Sequence, residues 1–264
     1  MKKILLLVGL LVLFSSHELF LKTDSYFLDA RQTAELYLYN GTFDKSENTI
    51  TRDRIVDAKI KGTDYDFSPQ EADYYDKDNI TYLRFTTGDP GTYLAGISTA
   101  ARNLDQTADD FIEYLEHEGL DRMVREREGK GLSNQDVTEK YSKHVKAILQ
   151  VGDETTEDHS ATLGYPIEFI PLQNPYDLSV GDMIEFRLVY KGEPLANAVV
   201  HFGTDQKEAQ AAKVNASITD DDGEFSFELN RSGHWYVGTI QMEESAEAGI
   251  DYESNWATLT FELR

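Results

Sequence analysis

The sequence predicts an all-β protein of two β-sandwich modules of immunoglobulin-like type, with a short helical insertion in the first. Three observations carry this expectation. Period-two alternation of apolar and polar residues recurs in short runs, turn residues close most of those runs, and only one stretch switches to helical spacing. In the first half Ala34 to Tyr39 alternates up to the turn pair Asn40-Gly41, and Ile55 to Ile60 ends before Gly62. Ile80 to Phe85 turns through Gly88-Asp89-Pro90-Gly91 into Tyr93 to Ile97, as a hairpin would. Thr107 with Asp110 then reads as a helix cap, Phe111, Ile112 and Leu115 follow at helical spacing, and Gly119 supplies a stop. A helical insertion is therefore expected over about 105–128, after which 137–151 returns to extended structure.

The acidic, aperiodic stretch Gly152 to Ala161 reads as a linker, so residues 152–164 are expected to separate an N-terminal domain, 17–151, from a C-terminal one, 165–264. The second half shows runs at Ile167–Ile170, Met183–Tyr190, Ala198–Phe202, Ala212–Thr219, Glu224–Leu229, Trp235–Met242 and Trp256–Leu263. Short alternating strands at this spacing are the immunoglobulin-like pattern.

The chain has 264 residues, 25 Lys+Arg against 48 Asp+Glu, a formal charge of −23 and no cysteine. Without thiols there is no disulfide, thiolate zinc site, iron–sulfur cluster or cysteine nucleophile. The negative charge argues against a nucleic-acid partner, because affinity for phosphate backbones comes from Lys and Arg. At the front, Lys2 and Lys3 precede an apolar run from Ile4 to Phe14 and then Ser15-Ser16. That run is shorter than the ~20 residues a spanning helix needs, so residues 1–16 read as a secretory signal and the product as periplasmic or secreted, not inserted in the membrane. Phe14 is bulky for a position near the cleavage point, and an uncleaved N-terminal anchor is the competing reading.

Several blocks in order along the chain resemble the DUF4198 family of extracytoplasmic proteins. They are His17-Glu18-Leu19-Phe20-Leu21, Lys140-Tyr141-Ser142-Lys143, Pro166 to Leu172 with Asn174-Pro175-Tyr176, and Gly192 to Ala198. Thr219 to Gly223, Gly233-His234-Trp235 and the closing Asp251 to Phe261 continue the match. The resemblance implies two β-sandwich-like modules and an association with nickel or cobalt uptake systems, hence a membrane transporter component as partner. One departure stands out: Gln241 occupies a place where many relatives carry histidine.

A metal site without sulfur must use nitrogen and oxygen. If signal peptidase cuts after Ser16, the amine and imidazole of His17 form a two-nitrogen chelate suited to Ni(II), Co(II), Cu(II) or Zn(II). His201, inside the apolar run Val199 to Phe202, and His234, after a turn, are the candidate completing ligands. His117 stands four residues after Glu113, His144 lies between Lys143 and Lys146, and His159 falls in the linker, so each reads as a surface or structural residue. Asp220-Asp221-Asp222-Gly223 reads as a hairpin turn rather than a calcium loop, because the chain runs straight back into a strand. No HExxH, phosphate-binding or nucleophile-elbow motif is present, and no enzymatic activity is expected. Two functions follow: an extracytoplasmic protein binding a divalent transition metal through His17, or a metal-free module recognising carbohydrate or protein.

Overall fold

The computed structural model describes residues 18–205 and 215–264. In chain order the first strands are β1 (Glu18–Lys22), β2 (Phe27–Leu28), β3 (Thr33–Thr42), β4 (Lys45–Asn48), β5 (Ile55–Gly62), β6 (Tyr65–Phe67), β7 (Tyr74–Lys77), β8 (Ile80–Thr86), β9 (Gly91–Thr99) and β10 (Arg102–Gln106). Helices α1 (Ala108–His117) and α2 (Asp121–Gly129) follow, then β11 (Val137–Val151), β12 (Ile167–Pro171), β13 (Met183–Tyr190), β14 (Glu193–Pro194), β15 (Val199–Thr204), β16 (Asn215–Ile218), β17 (Glu224–Glu228), β18 (Gly233–Glu244) and β19 (Tyr252–Leu263). The expected runs in the described residues are thus strands, and the expected insertion is a pair of helices. Thr107 caps α1 by accepting the Asp110 N–H at 3.2 Å, and Gly119, at φ 73°, takes the left-handed turn between the helices. The leader, residues 1–16, and His17 lie outside the described residues.

The two sandwiches share a layer. Among the described residues one ten-stranded sheet runs β16-β15-β18-β19-β11-β9-β5-β6, with β10 and β2 also on β11. Strands of both halves meet within it, where β11 and β19 pair in parallel from Glu139↔Tyr252 to Ala147↔Thr260. A five-stranded sheet (β1-β3-β8-β7, with β4) covers one face, and a four-stranded sheet (β12-β13-β14, with β17) covers the other.

Strand alternation explains how one layer serves two cores, since successive side chains point to opposite faces. Val145, Ala147, Leu149 and Val151 of β11 enter the first core with Leu36, Leu38 and Leu83. Ile148 enters the second with Phe186, Leu259 and Phe261. The helices lie on the first face beside the five-stranded sheet, where Phe111, Leu115 and Met123 pack on Ile240, Met242 and Trp256.

The expected linker is held at several points. Its acidic side chains face outward, but Thr156 Oγ1 accepts the Thr92 N–H at 3.0 Å and His159 is buried. Beyond it, Glu168 accepts the backbone N–H groups of Leu163, Gly164 and Tyr165 at 2.8–2.9 Å and pairs with Lys146 at 3.1 Å. Lys146 also donates to the Phe169 carbonyl at 2.7 Å, and both ionic side chains are 2% exposed. A buried pair with this many hydrogen bonds fixes the approach of β12 to β11.

Candidate functional site

The best candidate lies where β1 begins, on the helix-bearing face of the central sheet. β15 pairs with β18 so that His201 stands opposite Gly238, and directly opposed residues share a face with Cβ atoms about 5 Å apart. Glu18, opening β1, crosses above this pair: its Oε1 lies 3.2 Å from where a Cβ on Gly238 would sit. A side chain at position 238 would displace the carboxylate, so the missing side chain is what leaves room. The Nδ1 atom of His201 is buried without a hydrogen-bond partner among the described residues. A buried ring nitrogen with no partner is uncommon in native proteins and calls for a ligand or a water.

Charge around this spot is concentrated and poorly hydrated. Burial, and after it the Glu118 carboxylate, pushes Glu18 up to about 7, against the pull of Lys143 and His117. Although Glu18 is only partly buried as a residue, its carboxyl points inward over the sheet, which accounts for the shift. Burial and the nearby Arg54 hold Lys143 down to about 8. At the C-terminal end of α1, His117 Nδ1 meets Glu118 Oε1 at 3.0 Å, and that hydrogen bond raises the imidazole. His117 thus engages Glu118, not Glu113.

The predicted ligands divide. His201 by its strand register and Glu18, the residue bonded to His17, by its carboxylate both stand at Gly238. His234 stands four residues along β18, about 13 Å away at strand spacing, and does not join them. Its Nδ1 lies 3.0 Å from Asp205 Oδ2 and its Nε2 3.8 Å from Glu262 Oε2, with its ring 5.2 Å from that of Tyr26. Among the described residues no group of three His, Asp or Glu side chains is arranged to hold a metal. A site at Gly238 therefore needs a further donor, and the chemistry of an imidazole and a carboxylate fits a nitrogen-rich chelate at position 17.

The opposite face of the same stretch of sheet carries His144, which the sequence reads as a surface or structural residue and which is buried. Ser98 Oγ lies 2.9 Å from His144 Nδ1, and His144 Nε2 lies 3.1 Å from Asn255 Oδ1. An amide oxygen only accepts, so Nε2 carries the hydrogen and Nδ1 accepts from the serine hydroxyl. Ser142 Oγ donates to the same Asn255 oxygen at 3.1 Å, and burial holds His144 below its usual range and hence neutral. Gln241 is the cross-strand partner of Asn255, so the departure from the family pattern borders this network, not Gly238. Ser98 and Asn255 lie far from His144 in sequence, and only the alternation Ser142, His144, Lys146 in β11 hints at a polar stripe.

The fold and this site define a double β-sandwich protein with a buried, partly unsatisfied polar spot at the start of its first strand. The profile of the family described as "Domain of unknown function (DUF4198)" matches residues 14–243, and the chain belongs to that family. No curated protein matches. Among solved structures, a mutant alpha-2-macroglobulin from Salmonella aligns at 11% identity and TM-score 0.26, covering 92% of this chain and 15% of that one. The D0-D1 domain of intimin aligns at 10% identity and TM-score 0.22, covering 92% and 97%. A putative membrane anchored protein from Corynebacterium diphtheriae aligns at 8% and 0.21, covering 93% and 58%. Among the described residues no helix is long and apolar enough to cross a membrane.

Proposed function

We propose that this chain is an extracytoplasmic protein that captures a divalent transition metal as cargo for an uptake system, nickel or cobalt with copper and zinc as competitors. The buried, unpartnered Nδ1 of His201, whose backbone stands opposite Gly238 where the Glu18 carboxylate crosses the sheet, carries this reading. His17 is bonded directly to Glu18 in the chain. After signal cleavage its amine and imidazole add two nitrogen donors to the imidazole of His201, and Glu18 offers an oxygen. The surplus of negative charge concentrates cations near the surface without selecting among them. Neither His201 nor Glu18 resembles a hard, all-oxygen calcium site.

The alternative, a recognition module for carbohydrate, would place stacking rings on the outer face of the five-stranded sheet, where Tyr37, Tyr39, Tyr75 and Tyr82 gather. Those ring faces are occupied. Tyr75 stacks on Tyr82 at 4.7 Å, Arg84 covers Tyr75 at 5.2 Å, and Lys22 covers Tyr39 at 4.9 Å.

The test is titration of the mature protein, its N-terminus mapped by mass spectrometry, with Ni(II), Co(II), Cu(II) and Zn(II). Saturable binding that His17→Ala abolishes is expected. Binding no tighter than that of a competing buffer, or unchanged in His17→Ala, would overturn the proposal.

A further inference from the structure

β18 is paired along all twelve of its residues with β19, but β15 covers its other side only from Trp235 to Gly238. Beyond Gly238, Val199 still flanks the strand, its carbonyl accepting from Thr239 Oγ1 at 2.7 Å, and from Gln241 to Glu244 no backbone group among the described residues pairs with that outer edge. Four residues of unpaired edge span about 13 Å and leave outward main-chain donors and acceptors that another extended chain can satisfy in register. Along this edge runs a groove of about 740 Å³, between Gln241–Glu244 and the α2 residues Met123, Glu126, Gly129 and Lys130. Nothing lies within 4 Å of a Cβ built on Gly129, so the groove has open space at its helix wall.

The carboxylates of Glu243 and Glu244 flank the edge on its two faces, because neighbouring strand residues alternate. Each is met by one lysine from outside the strand: Lys191 reaches Glu243 at 2.6 Å and Lys130 pairs with Glu244. All four side chains are well exposed, and exposed pairs of that kind are weakened by solvent and salt, so an incoming cation can replace either lysine. The −23 charge of the chain favours such a partner at long range.

We propose that this edge is a docking slot for an extended basic segment of a partner protein, added as a strand beside β18 with Lys or Arg side chains on Glu243 and Glu244. Main-chain pairing supplies the affinity and the two carboxylates supply the preference, as in other cases of strand addition. The slot starts at Gln241, three residues past Gly238, which sets a docked strand about 10 Å along β18 from the proposed cargo site. Strand docking does not depend on the metal, so either proposal survives the failure of the other. The competing reading is that the charges merely guard an exposed edge against pairing.

The experiment uses the mature chain and the probe peptide acetyl-Lys-Val-Lys-Val-Lys-Val-amide, followed by titration and by hydrogen exchange of the backbone amides. Saturable binding that slows exchange within 241–244 is expected, with the glutamate-for-lysine peptide binding roughly tenfold more weakly. Gly129→Trp fills the groove from its open wall and should weaken the lysine peptide by about tenfold or more with the melting temperature preserved. Should that variant unfold, Glu243→Lys with Glu244→Lys serves instead and should reverse the preference between the two peptides. No saturable binding, protection confined to other strands, or a preference that neither variant alters would overturn the proposal.

Discussion

The two faces of the central sheet near β11, β19 and β18 hold histidines of opposite character. On the face toward β12 and β13, both ring nitrogens of His144 have partners, and the neighbouring Lys146 and Glu168 satisfy each other and four backbone groups. On the face toward β1 and the helices, His201 keeps a buried nitrogen without a partner among the described residues, and Glu18 is held near neutrality. A closed polar network rigidifies a core, whereas an open one holds unsatisfied groups that a ligand can complete. On the proposed reading, the face toward β12 and β13 is structural and the face toward β1 and the helices is the one a ligand would complete.

Breaking the closed face should be the most damaging change. Glu168→Ala strands a buried ammonium and three backbone N–H donors, and a loss of about 3–5 kcal/mol in urea unfolding is expected. His144→Ala removes the bridge between Ser98 and Asn255, and a loss of about 1–3 kcal/mol is expected with metal binding unchanged. The same histidine makes the closed face sensitive to acid. Its folded pKa lies below the unfolded value, so its contribution is complete above about pH 6.5 and is lost as pH falls toward and through the folded pKa. The wild-type unfolding midpoint should therefore drop relative to that of His144→Gln as pH falls across that window, a difference in which the opposite slope from Glu18, raised to about 7 in both proteins, cancels. Parallel profiles in the two proteins would separate His144 from the closed network.

The open face should respond in the opposite sense. His201→Leu removes an unsatisfied buried nitrogen, so stability should rise by about 1 kcal/mol while metal binding weakens. A loss of stability comparable to that of His144→Ala would show that His201 is satisfied in solution and erase the contrast.

How much of this the sequence displays follows from range. β3, β5, β8, β9, the helix pair and most second-half strands are legible because alternation and caps are local signals: Thr107 and Gly119 mark α1 by themselves. The sharing of one sheet is not legible, since the parallel pairing of β11 with β19 joins residues more than 100 positions apart. Short strands such as β4, β6 and β7 are too brief to show a period. In the candidate site His201 could be singled out as a polar residue in an apolar run, and Glu18 through its place beside His17. Their meeting over Gly238 depends on β1 crossing β18, which no spacing encodes. His234 shares the strand but sits too far along it, a distinction that only register makes.

The most direct test compares the two histidines in one assay: Ni(II) and Cu(II) titrations of mature wild type, His201→Leu and His144→Leu, each checked for retained fold by circular dichroism. The open-face account predicts that affinity falls by roughly tenfold or more in His201→Leu and stays at the wild-type value in His144→Leu. Equal losses in both variants, or a wild type that binds neither ion, would contradict it.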